Sequence, residues 1–367
     1  MLKMIKHYLK KRTLFIVIIS IFALLLSFVI VHGGDFVRTY YIDKNVYREG
    51  PADFPVGFIT TMTCILCTLI PILELSFKMN KINIDQMYSL PIKREKLFVV
   101  KYFVGLIEVI IPITLISIDC FLTVLFEEHM LELKYFFPYY FCLIGLSFIL
   151  YSTVSFFFTR GNTIIDGLIN IAFITFFFVA LSGALKETII HNNRHLLEIF
   201  KEENYFTYSP LSIMSDFFNK KMMEKSLIDI GYQHFNFPVF KWSNFIAILV
   251  MVIVGIISFV LFIFLNKKDK AENCMQVSNS WFSYRFMIPA FISMIIMIVG
   301  DNITYEALIY ILIGGFVSYL LYRRNLKFKK TDYITFIICI VVSLIISYIA
   351  SEINEPIIYE MFNPNSI

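Results

Sequence analysis

The chain predicts an all-α, polytopic helical membrane protein of about nine transmembrane helices, and three observations carry that prediction. Hydrophobic residues make up 58% of the 367 and charged residues only 16%, with a mean hydropathy of +0.73. Soluble domains sit near about 45–50% apolar and about 25% charged. Apolar runs long enough to cross a bilayer recur along the whole length. Every one of the 32 Lys and Arg residues falls between those runs, never inside one.

A hydrocarbon core of about 30 Å takes roughly 20 helical residues, and only helices or closed barrels satisfy their own backbone polar groups there. The expected spans are 14–31, 57–75, 102–126, 138–158, 164–185, 243–265, 286–300, 306–321 and 333–350. The seventh and eighth are short and read equally as a hairpin that leaves and returns on one side. The first follows the basic segment MLKMIKHYLKKR. Its length and the absence of a small-residue cleavage site favour an uncleaved span over a signal peptide.

Lys and Arg set the orientation. With the N-terminus inside, the cytosolic segments 1–13, 76–101, 159–163, 266–285 and 322–332 hold 21 of the 32 basic residues. The outer segments hold the remainder, mostly in the long loop 186–242. The expected protein is a multi-pass one of the plasma membrane with a cytosolic N-terminus and an extracytosolic C-terminus. Its organisation reads as a six-span core over 1–285, additional spans over 286–350 and a short acidic tail, 351–367.

Six cysteines are present, and those in loops are too few for a disulfide framework. Cys64 and Cys67 match C-x-x-C by spacing inside an apolar run, which is the setting of structural rather than redox or metal-binding thiols. No metal ligand set is expected. His191 and His195 stand four apart without carboxylate support, and His234 is isolated.

The most patterned polar stretch is 80–101, NKINIDQMYSLPIKREKLFVVK. Ser89-Leu90-Pro91 reads as a turn or helix start, since Pro fits a first helical turn. Ile92, Leu97 and Phe98 interleave with Lys93, Arg94, Glu95 and Lys96, which predicts a short amphipathic helix at the membrane surface before the chain re-enters at Lys101. Physics alone leaves two roles open: a basic loop on anionic headgroups, or a docking element for a cytosolic partner.

Residues 87–102, Met-Tyr-Ser-Leu-Pro-Ile-Lys-Arg-Glu-Lys-Leu-Phe followed by Lys101-Tyr102, resemble the SLPI-x-R motif of ABC-2-type ABC transporter permeases, of the Gram-positive bacterial type with extra C-terminal spans. The resemblance implies a coupling role for Ser89, Leu90, Pro91, Ile92, Lys93, Arg94, Glu95, Lys96 and Lys101, facing a cytosolic ABC ATPase subunit. It also implies a connecting helix in the basic N-terminal segment, and it likens 266–273 to a permease-subfamily run whose usual glycine is absent. The implied function is the permease subunit of an ATP-driven exporter of an amphiphilic cargo, such as an antimicrobial peptide, a drug or a lipid. Its implied partners are the ATPase, a second copy or a related permease subunit, and membrane lipid; nucleic acid is not among them.

The chain has no G-x-x-x-x-G-K-S/T phosphate loop. Any ATPase activity is therefore expected on a separate chain, with ATP and Mg bound there and no cofactor here. Two other classes stay open. Glu108 and Asp119, eleven residues apart on one helical face with Pro112 between them, could line a translocation path or proton relay, as in a secondary transporter. The plainer reading has them hydrogen-bonded to Ser, Thr or Asn of neighbouring spans. Glu74 and Asp166 sit near cytosolic span ends, within reach of water or a base such as Arg160. A non-transporting sensor or scaffold is the other alternative. A membrane enzyme finds no catalytic cluster.

In the outer loop, Ser209-Pro210 with Leu211, Ile213, Met214, Phe217, Phe218, Met222 and Met223 predicts an amphipathic helix, with Asp216, Lys220, Lys221 and Lys225 on its wet side. It reads either as a lid packed on the bundle or as a gate touching amphiphiles through Pro210, Phe217 and Phe218. Leu196–Phe200 is a second such piece.

Overall fold

The computed structural model describes residues 2–33, 39–43, 46–50, 55–126, 131–190, 210–229, 242–267, 269–276, 278, 280–299, 305–323 and 330–345. They are almost wholly helical. The helices are α1 Leu2–Gly33, α2 Val56–Leu75, α3 Lys81–Tyr88, α4 Arg94–Phe126, α5 Phe136–Arg160, α6 Ile164–Ile190, α7 Pro210–Asp229, α8 Trp242–Lys267, α9 Phe286–Val299 and α10 Tyr305–Arg323. A further helix, α11, covers 330–345. Between α1 and α2 a short antiparallel hairpin pairs β1 Thr39–Asp43 with β2 Val46–Gly50, in the register Thr39↔Gly50 to Asp43↔Val46. Reading for apolar spans alone does not anticipate that hairpin.

Each expected span falls on one of these helices as far as it is described. Among the described residues, five helical stretches are long and apolar enough to cross a membrane: Leu2–Val31, Val56–Met79, Arg94–Phe126, Leu133–Arg160 and Ile248–Lys267. Ile164–Phe177, Trp281–Ile296 and Ile309–Leu320 are shorter apolar helices. This is the helix inventory of a multi-pass membrane protein.

Two expected boundaries differ. The basic N-terminal segment is not a separate connecting helix, because α1 runs unbroken from Leu2. Its sequence holds neither Pro nor an internal Gly before Gly33, so the helix propagates once begun. The surface helix expected after Pro91 is likewise the first turns of α4, which runs 33 residues with Pro112 inside it. A proline is tolerated there because neighbouring helices re-satisfy the freed backbone.

Contacts divide the chain into two compact units. The first is Met1–Thr159 with Ser209–Ala271, and the second is Arg160–Tyr208 with Glu272–Ile367. The core of the first unit is aromatic. Tyr102 is fully buried among Tyr151, Phe148, Phe259 and Phe262, and its hydroxyl pairs with Ser152 Oγ at 2.6 Å. Gly105 makes this packing possible: a Cβ there would lie 2.1 Å from Tyr151 Oη. The core of the second unit is Ile288, Ile292 and Ile296 of α9 against Tyr319 and Tyr322 of α10, with Phe336 and Ile340 of α11 packed alongside.

Helix α7 begins at Pro210, as the sequence predicts; Ser209 lies outside the described residues. Its apolar face is covered. Leu211, Ile213, Met214, Phe218 and Met222 are buried, Phe218 meets the Tyr139 ring, and Met222 O accepts the amide of Glu132 at 2.9 Å. Phe217 is half-buried against Phe218. Leu196–Phe200 and the three histidines of the outer loop lie outside the described residues.

Candidate functional site

The site is built from the 3₁₀ turn Ser76–Met79, α3 and the start of α4. Asn80 is extended, and its side chain accepts the amide of Ile82 at 3.0 Å, capping α3. The helix ends at Tyr88, where Ser89 Oγ turns back to Gln86 O. Pro91 keeps the residue before it out of the helical region, and the amide of Ile92 closes a tight turn on Leu90 O. Helix α4 therefore starts at Arg94, three residues later than a Pro91 start would give. Ser89, Leu90, Pro91, Lys93, Arg94 and Lys96 are exposed, and Ile92 and Glu95 are half-buried.

Arg94 does more than face outward. Its guanidinium lies 4.5 Å from the Tyr88 ring centroid and donates to Asp269 O at 2.7 Å. Glu95 pairs with Lys267 at the end of α8. Lys78, nearly buried, pairs with the Asp269 carboxylate at 2.5 Å and donates to Thr159 O. Asn266 donates to Thr159 Oγ1. The polar turn after α2, the start of α4 and the end of α8 are thus tied together through Asp269 and Lys267.

Lys101 stands apart from the other motif residues. It is buried, and its ammonium binds Glu74 Oε2 at 2.8 Å inside the helices. Arg12 of α1 binds the other oxygen at 2.7 Å, and the Glu74 side chain is fully covered. The base Glu74 finds is therefore not Arg160 but this pair. Tyr8 stacks under Lys101 at 5.0 Å and points its hydroxyl at Met87 of α3. A fully covered carboxylate between two cations is the arrangement that keeps buried charge affordable.

Glu108 and Asp119 part company despite sharing a helical face. Asp119 accepts a hydrogen bond from Ser27 of α1 at 2.7 Å. Glu108 is buried two turns beyond Lys101, and neither of its oxygens has a hydrogen-bond partner among the described residues. Asp166, at the start of α6, accepts from Tyr284 Oη at 2.9 Å.

No protein-family model, curated protein or solved structure matches this chain. Its functional reading therefore rests on residues and geometry. Among the described residues no cluster of His, Cys, Asp or Glu could hold a metal ion. All six cysteines are free thiols. What sequence reasoning missed is the role of Asp269 and Lys267. Lys267 ends α8 and Asp269 follows in a basic run, and no local signal marks them as partners of a segment some 175 residues earlier.

Proposed function

We propose that this chain is the permease subunit of an ATP-driven ABC-2-type exporter. It has nine spans in the plasma membrane, a cytosolic N-terminus and an extracytosolic C-terminus. ATP and Mg are bound by a separate cytosolic ATPase, and two permease chains, identical or related, form the pathway. The cargo is amphiphilic: an antimicrobial peptide, a drug or a lipid. One observation carries the reading. The motif residues Ser89, Leu90, Pro91, Lys93, Arg94 and Lys96 form an exposed basic turn between the polar α3 and the long apolar α4, and Arg94 and Glu95 at its base are tied to the end of α8. A partner gripping the turn moves α4 and α8 together.

The proton-relay alternative has less support, since the described residues supply no hydrogen-bonded chain between Glu108 and Asp119. The test reverses charge at Lys93 and Lys96, two exposed positions whose ammonium groups take part in no ion pair among the described residues. Co-expressed with a candidate ABC ATPase subunit, Lys93→Glu/Lys96→Glu is expected to abolish co-purification and cargo tolerance while leaving membrane expression intact. A complex that still forms and still stimulates ATP hydrolysis sinks the proposal.

A further inference from the structure

The second unit carries a wide-mouthed cavity of about 820 Å³, open on one side, between α6, the turn at Met275–Gln276, α9 and α10. That is within the range of small-molecule sites, about 300–1,000 Å³. Its hydrogen-bonding groups are concentrated near the start of α6, with Tyr310 lining the cavity from the other end of α10. The concentrated end holds Thr163 just before α6, Asp166 in its first turn, Gln276, Tyr284, and Ser318 and Tyr322 of the last turns of α10. Further along α6 and α9 the wall turns apolar, with Ile169, Phe173, Ile292 and Ile295. Among the lining residues Asp166 carries the single formal charge, and it is negative. The Tyr284 and Tyr322 rings lie tilted against each other with centroids 4.4 Å apart, and Tyr284 Oη donates to Asp166, so aromatic surface of the kind that attracts ammonium groups adjoins the carboxylate.

Gly314 supplies a position at which the cavity can be tested. It lines the cavity, and a Cβ built there meets nothing within 4 Å. Its neighbour Gly315 is required by close packing, because a Cβ there would lie 2.3 Å from Ile292 Cδ1. No such contact explains Gly314, although glycine inside a helix costs about 0.5–1 kcal/mol relative to alanine. A side chain at 314, on the cavity's wall, starts in open space.

We propose that this cavity binds a single-tailed amphiphile with an ammonium head, the head against Asp166, Tyr284 and Gln276 and the tail along Ile169, Phe173 and Ile295. The polar end and the apolar wall beyond it fit such a ligand, and the lone carboxylate selects its charge. The site stands apart from the transport reading. It needs no ATPase, so its failure leaves that reading untouched and the reverse also holds.

The test is equilibrium binding of radiolabelled dodecyltrimethylammonium to the full chain in phosphatidylglycerol nanodiscs. Saturable binding of about one molecule per chain is expected. Gly314→Phe, which fills open space, is expected to lose it. Asp166→Asn is expected to weaken the cation about tenfold while leaving uncharged dodecanol unchanged. Nanodiscs containing lysophosphatidylethanolamine, a single-tailed lipid amine, distinguish the sources. Competition there identifies a lipid amine as the resident ligand, and unchanged affinity identifies a free amphiphile. Binding that does not saturate, that persists equally in Gly314→Phe, or that is matched by dodecyl sulfate overturns the proposal.

Discussion

Glu74 sits between Arg12 and Lys101 with its side chain fully covered, so its replacement leaves two cations facing a void of charge. Removing one partner of a buried pair costs about 3–5 kcal/mol, while replacing the pair with apolar groups is often near neutral. Glu74→Gln is therefore expected to lower the thermal midpoint of the solubilised protein sharply. Glu74→Gln/Lys101→Met should recover part of the loss. Fluorescence-detected size-exclusion after heating reads both, and a double variant no better than the single refutes the pairing. Gly105 offers a second residue-scale check, because any side chain there meets Tyr151 Oη. Gly105→Val should destabilise by more than 2 kcal/mol, the order of an overpacked core, whereas Gly105→Val with Tyr151→Phe should be milder.

At the scale of elements, the informative one is α4. Its first turn carries Arg94, Glu95 and Lys96 of the motif and its later turns carry the apolar core, so these charged residues share one unbroken helix with the apolar segment, while Ser89–Lys93 form the turn before it. Sequence patterning separates these into a surface helix and a span because polarity changes at Lys101. The backbone ignores that change, since neither Pro nor Gly stands between Arg94 and Val104. Helix α7 is the reverse case. Its amphipathic spacing is legible in the sequence, but the spacing alone fits a membrane surface and a packed lid equally. Burial of Met222 and Phe218 and the bond from Glu132 place its apolar face on the first unit. Met222→Ala is expected to cost about 2–5 kcal/mol, and a change below 1 kcal/mol would mean that the face is not packed.

At the scale of the whole molecule, Lys and Arg read from the sequence predict which helix ends share a side. In the first unit the start of α1, the end of α2, the start of α4 and the end of α8 do meet, through Arg12, Glu74, Lys101, Lys78, Arg94 and Asp269. The start of α2 and of α5 meet elsewhere in that unit, where Tyr139 bonds Thr60 and Val56 O. The expected topology follows as an experiment. In a cysteine-free background, Asp85→Cys should react with a membrane-impermeant thiol reagent only after the cell is opened, and Lys220→Cys in intact cells. Labelling of both from one side would overturn the orientation. Composition and spacing by themselves determined the helical membrane class, the positions of the apolar helices and the exposed basic turn, because hydrophobic matching and charge exclusion act residue by residue. Only the tertiary structure decided that Lys101 is an internal ion-pair partner while Arg94 reaches Asp269, and that Gly314 opens onto a cavity headed by Asp166. Those facts depend on which distant helices pack together, and no local pattern encodes that.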